Sequence, residues 1–118
     1  MRPVDQIKRA RRESLLQKVI AKLLTQQALD DPQIQGVFVN RIELNANKSI
    51  CTVYFYSEQG EEHFKQVLSQ LILYKPSLRA ALAREVSGKY VPDIVFRFDS
   101  QLVKQLAIEQ LLERVKEE

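Results

Sequence analysis

The sequence predicts an α+β fold, with helices packed on one face of a small mixed sheet. Three observations carry this. Helical and strand periodicities follow one another in the order helix, strand, strand, helix, short helix, strand, helix. No repeat of 20 to 50 residues and no low-complexity linker interrupts them, which fits one domain over residues 1–118. A strand at 93–99, coming late in the chain, has to pair with strands made earlier, so the topology is non-local.

Residues 6–28 read as the first helix. Leu16, Val19, Ile20, Leu23 and Leu24 form one apolar stripe, uninterrupted by Pro or Gly. A turn of about 100° per residue puts Arg11, Lys18 and Lys22 on the opposite side. Ile7 falls among those cations, so the helix either begins later or extends its first turns past the core. Asp30-Asp31-Pro32 ends the helix and Gly36 closes the turn.

Two strands follow. In 37–45, Phe38, Ile42 and Leu44 share a face, with Asn40 as an exception to the alternation. In 49–56, Cys51, Val53 and Phe55 share one face, while Ile50, Thr52, Tyr54 and Tyr56 share the other. Asn45-Ala46-Asn47-Lys48 suits the hairpin turn between them, since Asn tolerates positive φ. After the loop Ser57-Glu58-Gln59-Gly60, residues 61–73 read as a second helix with Phe64, Val67, Leu68, Leu71 and Ile72 inward. Glu61 and Glu62 suit the positive end of its dipole. Pro76 breaks it, because the residue before a proline avoids helical geometry.

A short helix at 77–86 buries Leu78, Ala81, Leu82 and Val86. Gly88 can take the left-handed conformation that ends a helix. Pro92 stands where a strand begins. Ile94, Phe96 and Phe98 then alternate with Val95, Arg97 and Asp99. Asp99 or Ser100 caps a last helix at about 101–116, with Leu111, Leu112 and Val115 on one side.

Composition narrows the function classes. Charge is segmental: residues 1–24 sum to +5 and the remainder to −2, within a net +3. A basic segment of this kind suits a polyanion partner. One cysteine, Cys51, and one histidine, His63, leave no disulfide framework and no Cys/His zinc set. No apolar run reaches the length of a membrane span, and the Arg- and Lys-rich start does not resemble a signal peptide, so a cytoplasmic protein is expected.

Two groups of cations are candidate nucleic-acid contacts. Arg9, Arg11, Arg12, Lys18 and Lys22 belong to the first helix; Lys75, Arg79, Arg84 and Lys89 bracket the break before and after the third. Arg forks fit phosphate oxygens and Lys supplies a compact charge. The plain alternative for each is a solvated surface charge. Tyr54 and Tyr56 suit base stacking, though cross-strand packing explains them as well. Arg97 is expected on the open face, meeting phosphate or pairing with Glu43. Gly36, Gly60 and Gly88 do not form a Gly-x-x-Gly loop of the kind that clamps single strands, which argues against sequence-specific single-strand reading and favours recognition of a folded RNA surface and of protein neighbours.

Catalysis has little support. His63, near a helix start, reads as solvated, Cys51 as a small buried hydrophobe, and the pairs Asp30-Asp31 and Glu61-Glu62 as turn and helix-start residues. There is no phosphate-cradling glycine loop.

The element order is that of a type II KH-like domain, and the residues go further. Arg9 and Arg12 on a first helix ending in Asp31-Pro32, the hairpin 39–44 followed by 51–54, Arg79 on the third helix, and residues 90–96 leading to Asp99-Ser100 together resemble the bacterial ribosome-binding factor A family. The resemblance implies a non-enzymatic factor assisting late maturation of the small ribosomal subunit. Its implied partners are that subunit, its rRNA and neighbouring ribosomal proteins; it needs no cofactor, metal or membrane and acts as a monomer. Two other classes stay open: a general KH-like RNA-binding module, and a protein-interaction domain using the C-terminal helix, whose charge is largely acidic after residue 108. The chain departs from the family where Tyr74-Lys75-Pro76 replaces the usual Ala-x-Gly kink, where Asn45-Ala46-Asn47 replaces an acidic turn, and in lacking the long polar C-terminal extension of some members.

Overall fold

The apolar stripe of the first helix organises the packing of the rest. The structure, a computed structural model, describes residues 3–85 and 91–117. Helix α1 spans Pro3–Asp30, longer than expected at both ends. Among its described side chains the first that is buried is Leu16, and Ile7 is exposed. Leu16, Ile20 and Leu24 are buried, and Val19 and Leu23 pack beside them. Asp31 caps a 3₁₀ turn at Pro32–Ile34 by accepting the Gln33 N–H at 2.9 Å.

Strands β1 (Val37–Leu44), β2 (Ile50–Ser57) and β3 (Asp93–Phe98) form one sheet in that order. β1 and β2 are antiparallel, and β2 and β3 are parallel, so the sheet is mixed as expected. Helices α2 (Glu61–Ile72) and α3 (Lys75–Glu85) join α1 on one face. Between the layers lie Ile42 and Leu44 of β1, Cys51, Val53 and Phe55 of β2, Ile94 and Phe96 of β3, Phe64, Val67 and Leu71 of α2, and Leu78 and Leu82 of α3. Phe55 meets Phe96 edge-on at 5.3 Å between ring centres. The last helix, α4, spans Ser100–Glu117. Leu111, Leu112 and Val115, which share one side of it, are all exposed, because α4 leaves the layered body after its first turn. Val86, Gly88 and Lys89 lie outside the described residues.

Strand β1 corrects a second expectation. Phe38 does not share a buried face with Ile42 and Leu44; it is 59% exposed. The pairing register shifts between Val39 and Arg41, so Asn40 is an extra residue, a β-bulge. Before it, Val37 and Val39 face the core; after it, Ile42 and Leu44 do. One inserted residue reverses which parity points inward.

The bulge is held from two sides. Gln17 of α1 donates to the Asn40 carbonyl (3.2 Å), and the Asn40 side-chain amide donates to Asp99 (2.8 Å). Asp99, 1% exposed, also accepts from Arg41 Nε (2.9 Å) and from the Leu102 N–H (3.1 Å), the latter capping α4. Arg41 reaches on to Glu43 (2.6 Å) and Gln101 (3.2 Å) and lies over the Tyr54 ring at 3.8 Å. Glu43 is thereby occupied by Arg41 and by the Tyr54 hydroxyl (3.2 Å), so it is not the partner of Arg97.

Two turns differ in detail from expectation. In the hairpin, positive φ falls on Lys48 (60°), while Asn45 and Asn47 use their side chains to bond Ile50 N–H and Ser49. His63 is not simply solvated. Its Nδ1 shares a 2.8 Å hydrogen bond with the buried Ser57 hydroxyl, and its ring lies over Gly36. Gly36 has φ +89°, and a Cβ there would come within 2.8 Å of His63 Cε1. At the α2–α3 break, Pro76 sits in the first turn of α3, where a missing N–H is harmless. Tyr74 donates to Asp31 (2.5 Å), as does Gln70 (3.0 Å), which fastens the break to the end of α1.

The Asp99 and Gly36 contacts can be tested by substitution. Burial alone would raise the Asp99 carboxyl, but hydrogen bonds from Arg41, Asn40 and the Leu102 amide hold it below the ordinary range. Its contribution is complete above the unfolded value of about 3.9 and is lost as pH falls through the lower folded value. Asp99→Ala is expected to cost about 2–4 kcal/mol at neutral pH and to flatten the acid limb of the stability curve, read by urea titration across pH. Gly36→Ala combines an unfavourable φ with a clash and is expected to cost about 1–3 kcal/mol in the same assay.

Candidate nucleic-acid interface

Helical spacing and the α1–α3 packing bring together cations that lie far apart in sequence. Leu15, Val19 and Leu23 of α1 meet Ala81 of α3 along a shallow groove of about 350 Å³. Lys18 and Lys22 stand on one wall, Arg84 on the other, with Gln26 and Glu85 completing it. All three cations are exposed, and among the described residues none of the three forms an ion pair. Arg11 continues along the Lys18 side of α1 and is exposed. Arg9 and Arg12 are half-buried; their helical positions are nearer the apolar stripe than the Lys18 side.

The second group divides. Lys75 and Arg79 lie one turn apart on the side of α3 toward β3, opposite Arg84. Lys75 places its ammonium 5.3 Å from the centre of the Phe96 ring. Arg79 donates to the Val91 carbonyl (3.5 Å) and faces Asp93 (3.8 Å). These two help attach α3 to β3. Only Arg84 of the described members joins the first group, because the helix turns it toward α1.

The remaining chemistry is sparse. Among the described residues no group of His, Cys, Asp and Glu has a metal-holding arrangement. Burial pushes the Cys51 thiol up to about 12, which makes it a poor nucleophile. The Ser57 hydroxyl beside His63 is buried and accepts the Gln59 N–H, so the pair shapes the loop before α2. A larger apolar groove of about 460 Å³ runs between α1 and β1, past Leu24, Ala28, Val37 and Leu71, with no titratable side chain on its walls. Among the described residues no helix is long and apolar enough to cross a membrane.

The family model of ribosome-binding factor A matches residues 8–112, nearly all of this fold. The chain belongs to that family. Ribosome-binding factor A of Prochlorococcus marinus (strain MIT 9301) is 33% identical over 109 residues, covering 91% of this chain and 83% of the relative. The crystal structure of ribosome-binding factor A from Thermus thermophilus is similar at a TM-score of 0.64 and 30% identity, over 76% of this chain and 93% of that one. A homology model of the Thermus thermophilus factor, fitted into a cryo-EM map of its 30S complex, is similar at a TM-score of 0.57 and 30% identity, over 72% of this chain and 88% of the other. The KH-like α+β expectation therefore holds for the family as for the chain.

Sequence reading finds Lys18, Lys22 and Arg84 but does not unite them, because the α1–α3 packing is tertiary. It misses the exposure of Phe38 and the role of Arg41; the polar Asn40 inside an apolar alternation is the available sign of the bulge. Since Lys18, Lys22 and Arg84 form no ion pair among the described residues, reversing all three to Glu is expected to change folding stability by no more than about 1 kcal/mol, checked by thermal unfolding.

Proposed function

We propose that this protein is a small-subunit assembly factor that grips rRNA phosphates with the α1–α3 groove and performs no bond-making chemistry. The observation that carries the reading is the convergence of Lys18, Lys22 and Arg84 on one concave surface without ion-pair partners among the described residues. Exposed cations free of internal pairing keep their full charge for an external polyanion. Arg11 extends the same stripe, and Arg9, Arg12, Lys75, Arg79 and Lys89 are kept as weaker contributors. Family membership and the 30S complex of the Thermus factor support the small subunit as the polyanion. Docking then favours one rRNA conformation over another, since a ligand shifts an equilibrium only through unequal affinity for its states. On this reading the protein acts in late maturation and rRNA processing, in the cytoplasm, as a monomer.

A second reading has one observation in its favour. Ile108, Leu111, Leu112 and Val115 form an exposed stripe on α4, suited to a protein neighbour on the ribosome.

Co-sedimentation with purified free small subunits tests both. The parent protein is expected to co-migrate at low salt, with a log–log salt slope of about −4 to −5 for six phosphate contacts. Lys18→Glu, Lys22→Glu and Arg84→Glu together are expected to weaken binding at least ten-fold and to flatten the slope. Absence of co-migration at low salt overturns the first reading. Unchanged binding by the triple variant transfers the contact to α4.

A further inference from the structure

The open face of the sheet carries chemistry that the groove does not use. α1, α2 and α3 all pack on the other face. On the open face the register sets Phe38 directly across from Tyr56, and Tyr54 across from both Arg41 and Arg97. Phe38 is 59% exposed, an unusual position for a Phe on a strand, and it is there because the Asn40 bulge reverses the parity of β1. Among the described residues, neither Phe38 nor Tyr56 is stacked on another aromatic ring. Tyr54 is different: the Arg41 guanidinium covers its ring and Glu43 holds its hydroxyl. Arg97 is exposed and unpaired among the described residues.

Charge is graded along this face. The carboxylates Glu43 and Asp93 lie toward the hairpin end, level with Thr52 and Ile50, and both face arginines. The opposite end holds Phe38 and Tyr56, with Arg97 two residues nearer the middle, level with Tyr54. Flat apolar rings beside an unpaired cation match a nucleobase joined to a phosphate; Asp99, the carboxylate at this end, is buried and taken up by Asn40, Arg41 and the Leu102 N–H. The rings and the cation match an acidic or apolar protein segment less well, because the bulge twists β1 away from strand addition.

We infer that the Phe38–Tyr56–Arg97 end of the open sheet face binds unpaired RNA bases by stacking, as a second surface distinct from the phosphate-gripping groove. Phe38 and Tyr56 each offer a ring to a base, and Arg97 meets the adjoining phosphate. The Asn40–Asp99 contact holds the bulge, and so holds Phe38 in its outward position. This surface deepens the rRNA-binding reading and rests on it for the choice of polymer.

The test uses the full chain and a fluorescein-labelled, ten-nucleotide RNA without self-complementarity, followed by anisotropy at several salt concentrations. The parent is expected to bind. Phe38→Ala and Tyr56→Leu are each expected to lower affinity about ten-fold at every salt concentration, leaving the salt slope unchanged. Phe38→Leu, which keeps an apolar strand residue but removes the ring, is expected to behave like Phe38→Ala and guards against misfolding. No binding by the parent overturns the inference, as does parental affinity in both Phe38 variants and Tyr56→Leu. Weaker small-subunit co-sedimentation by Phe38→Ala with unchanged RNA binding also overturns it, since the face would then touch protein. Parental co-sedimentation with small subunits reads the groove separately, so either proposal can fail alone.

Discussion

Asp99 holds three parts of the chain to one carboxylate. It receives the Asn40 amide from the β1 bulge, Arg41 Nε from the residue after the bulge, and the Leu102 N–H from the first turn of α4. A buried carboxylate is costly unless its oxygens are satisfied, and here each donor comes from a segment that must be placed correctly. The bulge, the end of β3 and the start of α4 are therefore coupled. Because the bulge decides which side chains of β1 face inward, Asp99 indirectly sets the pattern of an entire sheet face. Asn40 is also bound by Gln17 of α1, which ties the same point to the helical layer.

The two layers divide the work. Interlocked Phe55, Phe96 and Phe64, surrounded by aliphatic side chains, supply the packing between sheet and helices. Polar side chains mark the edges. Glu13 accepts the Leu44 N–H at 2.9 Å, so α1 closes part of the exposed edge of β1. Asp31 serves the other end of α1, where Tyr74 and Gln70 hold its carboxyl below the ordinary range and keep the α2–α3 break against the helix end. The break thus survives without the glycine of the family pattern, because a proline stops the helix and a phenol anchors it. That anchored break orients α3, and the orientation of α3 decides that Arg84 faces α1 while Lys75 and Arg79 face β3.

Much of this is legible in the residues. The element order, the inward stripe of α1, the alternations of β2 and β3, the helix stop at Asp31-Pro32 and the Asp99 cap follow from local periodicity and capping chemistry, and the motifs along 9–100 point to the family that the match over residues 8–112 establishes. The failures share a cause. Alternation places Phe38 inward only if the ladder is unbroken. The stripe of Leu111, Leu112 and Val115 says that one side of α4 is apolar, not whether anything lies against it. His63 reads as solvated because its partner Ser57 is reached only once the loop folds back.

The sequence by itself determined which segments are helix and which are strand, and how the charge is divided along the chain, because backbone sterics, side-chain period and formal charge are local properties. Tertiary structure alone decided which cations share a groove, which are tied to a neighbouring strand, and which aromatic ring faces outward. Those outcomes depend on the angle of one helix against another and on a single unpaired residue in a ladder. Neither is encoded by any one segment; both arise from simultaneous satisfaction of buried contacts contributed by several.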